Sequence, residues 1–147
     1  NGGLGNDVLI GGAGNDTLFG GLGDDTYRFS TGSGKDLIKN EDILGFGNDI
    51  VLFDAGITAD QVWLRKSGND LQVSLIGTTD SFNVQNWYTN TMNRIDSLQL
   101  ADGKTLLASE VQTLVSAMAA FTPPAIGQTS LTTQQHTALD TVIAASW

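Results

Sequence analysis

A nine-residue phrase stands at the start of the chain, written three times without a gap. Gly2-Gly3-Leu4-Gly5-Asn6-Asp7-Val8-Leu9-Ile10 is followed by Gly11-Gly12-Ala13-Gly14-Asn15-Asp16-Thr17-Leu18-Phe19, then by Gly20-Gly21-Leu22-Gly23-Asp24-Asp25-Thr26-Tyr27-Arg28. Self-similarity at so short a fixed period means a solenoid, a stack of near-identical coils. Each phrase divides into a glycine turn ending in Asp and an extended piece centred on Leu9, Leu18 or Tyr27. The turn half needs glycine because its backbone must enter positive φ and bring carbonyl oxygens towards a common point. In the extended half successive side chains face opposite ways, so the central apolar residue points into the coil.

Two phrases then make one full turn, and phrases one and three stack on the same edge. Asp7 and Asp25 should lie about one strand spacing apart, roughly 4.8 Å. Carboxylates that close repel, and the carbonyls around them lack donors. A hard divalent cation answers both needs, because calcium takes six to eight oxygens, carboxylate and carbonyl alike, at roughly 2.3–2.6 Å. The expected ligands are Asp7, Asp16 and Asp25 with the turn glycines Gly3, Gly5, Gly12, Gly14, Gly21 and Gly23. The skeleton continues after an offset of two residues in Gly32-Ser33-Gly34-Lys35-Asp36-Leu37-Ile38, which adds Gly34 and Asp36, the latter stacking near Asp16 on the opposite edge. It returns after a longer insertion in Gly45-Phe46-Gly47-Asn48-Asp49-Ile50-Val51. Asp49 reads equally well as a further ligand and as an ordinary turn aspartate. The expectation is about two to four calcium ions. A flexible glycine-rich linker would share the composition, but it has no reason to repeat Asp and a large apolar residue in register.

The phrase fills every position of the nonapeptide GGxGxDxUx and resembles the repeats-in-toxin (RTX) family of calcium-binding parallel β-rolls. The fold expected is predominantly all-β: a short parallel β-roll over residues 1–40, capped by an antiparallel β block over 41–108, with one or two C-terminal α-helices.

The remaining chain supplies that cap. Ile50–Phe53, Gln61–Arg65, Leu71–Ile76, Ser81–Trp87 and Ile95–Leu100 read as strands, and Leu71–Ile76 alternates strictly between apolar and polar residues. Ser67-Gly68-Asn69-Asp70 and Ala101-Asp102-Gly103-Lys104 read as hairpin turns. A solenoid end exposes an apolar cross-section and unpaired strand edges, which such a block would cover. Ser109-Glu110-Val111-Gln112 has capping-box form and opens an amphipathic helix over 109–124 that carries Val111, Leu114, Val115, Met118 and Phe121 and stops at Pro123-Pro124. Residues 122–131 have a linker composition, and a second capping box, Thr132-Thr133-Gln134-Gln135, starts a short helix in a tail over 125–147.

Together Tyr27-Arg28-Phe29, Gly32, Asp36, Gly68-Asn69-Asp70-Leu71, Asn86-Trp87-Tyr88 and Asp102-Gly103 resemble the haemolysin-type calcium-binding-related region that follows the nonapeptides in large type I secreted bacterial proteins, adenylate cyclase toxins among them. With the repeats the resemblance spans residues 2 to 124. It implies a secreted, extracellular or cell-surface protein that folds on meeting calcium. It also implies further repeats upstream, and partners in the type I machinery, an inner-membrane ABC transporter and its adaptor. The tail is similar in position to the uncleaved export signals of such proteins.

Composition narrows the alternatives. Sixteen acidic against seven basic residues give a net charge of −9, which disfavours nucleic acid and anionic membrane as partners, and the absence of cysteine rules out disulfides and thiolate metal sites. No apolar run is long enough to span a bilayer, so stable membrane insertion is not expected. The chain opens inside a repeat at Asn1 and reads as part of something longer. No catalytic constellation stands out: the only histidine, His136, lacks a nucleophilic partner, and no G-x-S-x-G elbow occurs. A competing reading makes the chain a calcium-stiffened adhesin or glycan-binding module, with Trp63, Trp87 and Tyr88 as a stacking platform for a sugar.

Overall fold

The computed structural model describes residues 1–44 and 47–147; Gly45 and Phe46 of the last degenerate phrase lie outside the described residues. The first phrase contributes β1 (Gly3–Leu4) and β2 (Val8–Ile10), the second β3 (Thr17–Phe19), and the third β4 (Gly21–Leu22) and β5 (Thr26–Phe29). There follow β6 (Lys35–Lys39), β7 (Ile50–Phe53), β8 (Val62–Ser67), β9 (Asp70–Leu75), β10 (Ser81–Val84), β11 (Ser97–Gln99) and β12 (Thr105–Leu107), then α1 (Ala108–Met118) and α2 (Thr133–Ser146). The protein is thus mostly β-sheet with two helices at its C-terminal end.

Among the described residues the strands form two five-stranded sheets, ordered β12-β11-β7-β5-β2 and β3-β6-β10-β9-β8, and β1 pairs with β4 in the turn region. The chain changes sheet with each phrase, and same-sheet neighbours from successive turns pair in parallel: β2 with β5, β5 with β7, and β3 with β6. The register sets apolar residues in rows. Leu9, Tyr27, Val51, Leu98 and Leu106 are aligned across one sheet, and Leu18, Ile38, Val84 and Leu71 across the other. These rows face each other, and Phe29, Phe53 and Phe82 pack edge to face or tilted between them.

The strands after residue 49 depart from the antiparallel block expected over 41–108. β7 and β11 run parallel to β5, and β10 runs parallel to β6; antiparallel pairing is confined to β8-β9-β10 and β11-β12. The cause is the open edge of the last repeat strand on each sheet, whose backbone groups are satisfied by continuing the parallel ladder. A boundary at residue 40 therefore cuts through both sheets. Both expected hairpin turns are present, joining β8 to β9 and β11 to β12. The expected strand to Trp87 ends at Val84, since Asn86 turns the chain with φ +58°.

Ser109 is not an N-cap. Helix α1 begins one residue earlier, directly off β12, where the Ala108 N–H donates to the Asp96 carbonyl, and Leu107 stands at the cap position without a side-chain bond. The helix ends at Met118, ahead of the prolines. Its buried face carries four of the five expected residues, Val111, Leu114, Val115 and Met118; Phe121 lies past the helix end, partly buried against the core. The Met118 sulfur accepts from the Leu64 N–H on edge strand β8.

The tail is tied down more firmly than its linker composition suggests. The Thr132–Gln135 capping box is formed, with the Thr132 hydroxyl accepting from the Gln135 N–H and the Gln135 side chain accepting from the Thr132 N–H. Leu139 and Ile143 are buried in the common core, α2 packs on α1, and the Trp147 ring lies 6.4 Å from that of Phe53. Within residues 122–131, Leu131 is buried and the Gly127 N–H donates to the Gly77 carbonyl at 2.7 Å. Among the described residues no helix is long and apolar enough to cross a membrane.

Candidate metal centre

The aspartates of the phrases are stacked by the strands that follow them. Because Val8 is paired with Thr26 and Thr26 with Ile50, the residues just before them, Asp7, Asp25 and Asp49, form one line along the edge. In the second and third of these, Oδ1 accepts from the main chain of the preceding rung: the Asp7 N–H donates to Asp25 Oδ1 at 3.0 Å, and the Asp25 N–H to Asp49 Oδ1 at 2.8 Å. Asp96, preceding Ser97 in register with Ile50, extends the line by accepting from the Asp49 N–H at 2.8 Å. On the opposite edge the Asp16 N–H donates to Asp36 Oδ1 at 3.0 Å. The offset of two residues between those coils is taken up in a tight Ser30–Ser33 turn with Gly32 at φ +87°, which leaves Leu18 opposite Ile38.

An outer row of side chains runs the other way. Asn6 Oδ1 accepts from the Asp24 N–H, Asp24 Oδ1 from the Asn48 N–H, and Asn15 Oδ1 from the Lys35 N–H. The side chain before each consensus Asp thus clips its coil to the next, while the Asp clips back.

The glycines serve two purposes. Gly3, Gly5, Gly12, Gly14, Gly21, Gly23 and Gly34 all have positive φ, and a Cβ at Gly21, Gly23 or Gly34 would overlap the carbonyl oxygen of Gly3, Gly5 or Gly14 in the coil above. Gly2, Gly11 and Gly20 keep ordinary backbone angles. They are small because each lies against the carboxylate of its own phrase, where a Cβ would meet Asp7, Asp16 or Asp25. This role was not visible in the repeat pattern, which shows only that the position is invariant across three copies.

The decisive feature is what remains of the carboxylates. Asp7 Oδ2, Asp16 Oδ2 and Asp25 Oδ2 are buried, with Asp25 0% exposed, and among the described residues they have no hydrogen-bond partner. A buried carboxylate oxygen without a partner is costly. Among the described residues no three acidic or histidine side chains converge on one point. A cation held here would therefore draw on one or two carboxylates and on the glycine carbonyls, the all-oxygen mixture that suits calcium.

Residues 1–27 match the RTX calcium-binding nonapeptide repeat. Residues 70–110 match the haemolysin-type calcium binding protein related domain. The chain is also similar to the iron-regulated protein FrpA of Neisseria meningitidis serogroup C, 41% identical over 92 residues. That similarity covers 60% of this chain and 8% of the relative, so it concerns one small part of a much longer protein. The first family is described as calcium-binding, the second as related to a calcium-binding protein.

The electrostatics of the aspartate stack favour a cation. Burial pushes the Asp25 carboxyl above its ordinary value; the Asp7 N–H opposes this, and the carboxylates of Asp7, Asp42 and Asp24 add to it. Burial likewise raises Asp36, with Asp16 and Asp80 contributing repulsion. Asp49 is raised by burial and by Asp25 and Asp96, against the hydrogen bonds from Asn40 and the Asp25 N–H.

Asp49 differs from the three consensus aspartates in one respect: its Oδ2 accepts from the Asn40 amide at 2.7 Å. Two further aspartates join the edges without glycine signatures. Asp96 is one, and Asp80 is the other, its two oxygens accepting from the Gly32 and Gly34 N–H groups at 2.8 and 3.0 Å. Both open a D-x-U triplet, Asp80-Ser81-Phe82 and Asp96-Ser97-Leu98, so the tail of the phrase recurs where its glycine turn does not. Trp63 and Trp87 are core residues, 2% and 3% exposed, and Lys66 lies over the Tyr88 ring, so these aromatics do not form an open sugar platform.

Proposed function

We propose that this chain is a calcium-dependent folding module in which the phrases form the end of a parallel β-roll and residues 41–124 its cap. The observation that carries this reading is the set of unpartnered, buried Oδ2 atoms on Asp7, Asp16 and Asp25, one in each consensus phrase. In the metal-bound state these oxygens, with Asp36 and main-chain carbonyls of Gly3, Gly5, Gly12, Gly14, Gly21, Gly23 and Gly34, hold calcium between successive turns. The ion neutralises the stacked carboxylates; the chain's own groups set the coil spacing through the Asp7–Asp25 and Asp16–Asp36 bonds.

Without calcium the acidic turns repel and the glycines give the unfolded chain high entropy, so the coils are disordered. Metal binding then contributes folding free energy directly. Extracellular calcium modules commonly have dissociation constants of about 0.1–1 mM, well above cytosolic free calcium. The chain is thus threadable through a type I export channel in the cell and folds outside it. The open edges of β1, β2 and β3 receive upstream repeats of a longer protein, and the C-terminal segment carries the address read by the ABC transporter and adaptor. The match of residues 1–27 to the calcium-binding nonapeptide repeat supports this reading by similarity.

Circular dichroism during a calcium titration tests the proposal. The β signal should rise cooperatively between about 0.1 and several millimolar calcium. Magnesium should fail to replace it, because it demands a tight octahedron at about 2.0–2.1 Å and sheds water reluctantly. Equal rescue by both ions would count against these sites.

A further inference from the structure

The third rung of the Asp7–Asp25–Asp49 line is chemically unlike the first two. The strand register makes the three aspartates equivalent, and each of the last two uses Oδ1 in the same way, accepting from the N–H of the rung before. They part at Oδ2. On Asp7 and Asp25 that oxygen is buried without a partner among the described residues; on Asp49 it accepts from Asn40 Nδ2 at 2.7 Å. We propose that the Asn40 amide takes, at the third rung, the place a calcium ion takes at the first two, so that metal loading along this edge ends at Asp25 and the junction with the cap is closed by the protein itself. The inference rests on the calcium reading of the stack and names the residue that limits it.

Three contacts define the amide. Asn40 is 1% exposed; its Nδ2 donates to Asp49 Oδ2 and to the Arg94 carbonyl at 3.0 Å, and its Oδ1 accepts from the Tyr27 hydroxyl at 2.9 Å. Both acceptors lie on the Nδ2 side and the donor on the Oδ1 side, so the network fixes which way the amide points. Turning it over would set a carbonyl oxygen against a carboxylate. With Oδ1 held by the Asp25 N–H, as on the rung before, and Oδ2 by Asn40, Asp49 has a donor on each oxygen, and the Asn40 N–H stands where a cation would approach Oδ2.

Tyr27 is part of the same device. It stands where the first two phrases carry Leu9 and Leu18, and only a hydroxyl at that inward position reaches Asn40. The phrase that adjoins the protein-closed rung is therefore the phrase whose central residue changes from leucine to tyrosine. A buried polar pair of this kind is retained only when every member is satisfied, and here each partner is accounted for.

Counting bound calcium on the full chain, by equilibrium dialysis against the wild type, tests the assignment. Asn40→Asp replaces the two donors with a carboxylate facing Asp49, so a cation becomes the only neutralising group. The expected result is one more calcium bound per chain than in the wild type. An unchanged count in an Asn40→Asp chain that folds in calcium would overturn the proposal. Where that variant does not fold, amide exchange on the wild type decides. In chelator the Asp49 N–H should stay protected while the Asp7 N–H loses protection at least tenfold; loss of both together would overturn it. A wild-type chain that binds no calcium would instead defeat the reading of the whole stack, leaving the two failures distinct.

Discussion

The Asp7 N–H donates to Asp25 Oδ1 across 18 residues of sequence, at 3.0 Å, and the other oxygen of Asp25 is buried without a partner. One carboxylate thus has two separate parts: Oδ1 spaces the coils, and Oδ2 is the proposed calcium ligand. Substitution at this position should separate from substitution further down. Asp25→Ala removes both halves, and loss of a charge-assisted hydrogen bond costs about 1.5–3 kcal/mol before any metal is considered. Isothermal titration should show calcium affinity falling at least tenfold for Asp25→Ala and less for Asp49→Ala. The reverse order would contradict the stacking.

Acid should act in opposite senses with and without the metal. Asp25, Asp36 and Asp49 have carboxyl groups raised above the ordinary value of 3.8, chiefly by burial. A raised carboxyl favours the protonated folded form, so its contribution to the metal-free fold is full below 3.8 and is lost as pH rises through the higher folded-state value. In chelator, lowering the pH through that window should increase β structure. In calcium the same change should reduce it, because ligands must be deprotonated to bind. Circular dichroism over a pH series in each condition checks the crossing.

Glycines at the same place in the phrase should not be equally sensitive. Gly3 and Gly21 both have φ near +110°, but a Cβ at Gly3 meets nothing within 4 Å, whereas one at Gly21 overlaps the Gly3 carbonyl. Gly3→Ala should cost about 1–3 kcal/mol of backbone strain, and Gly21→Ala should add a steric penalty to that same strain. Calcium-saturated thermal melts would show a larger drop for Gly21→Ala. Equal drops would mean that the coils are not in close contact.

Removing residues 125–147 should weaken the fold as a whole. Leu139 and Ile143 are buried against the core, and each contributes about 1.5–3 kcal/mol when fully buried. A chain of residues 1–124 should fold in calcium with a lower midpoint in denaturant, while a peptide ending at Asn40 should stay disordered in millimolar calcium. That peptide keeps Leu9, Leu18 and Tyr27 but lacks Val51, Leu98 and Val84, which complete their rows. A cooperative calcium-induced transition in the short peptide would contradict the need for the cap.

The repeats were legible because their constraint is local. A phrase of glycine turn, aspartate and one inward apolar residue determines, within nine residues, where the backbone takes positive φ, which side chain faces in and which carboxylates align. The same locality made the Thr132–Gln135 cap and most of the apolar face of α1 readable. What lay beyond nine residues was decided by the tertiary structure. Asp80 and Asp96 join the edges because strands β10 and β11 pair in parallel with repeat strands, and hydrogen bonding between backbones some 45 residues apart carries no composition signal. The helix start moved from Ser109 to Ala108 because a strand hydrogen bond to Asp96 runs the chain straight into α1. The tail, polar enough in sequence to read as an appendage, became part of the core because α1 and the 3-10 turn Ala59–Gln61 leave a surface that α2 covers. Asn40 shows the division most clearly: nothing in its neighbours marks it, and only the convergence of Tyr27, Asp49 and Arg94 on one amide gives it a role, since a buried polar group is defined by the partners the fold brings to it.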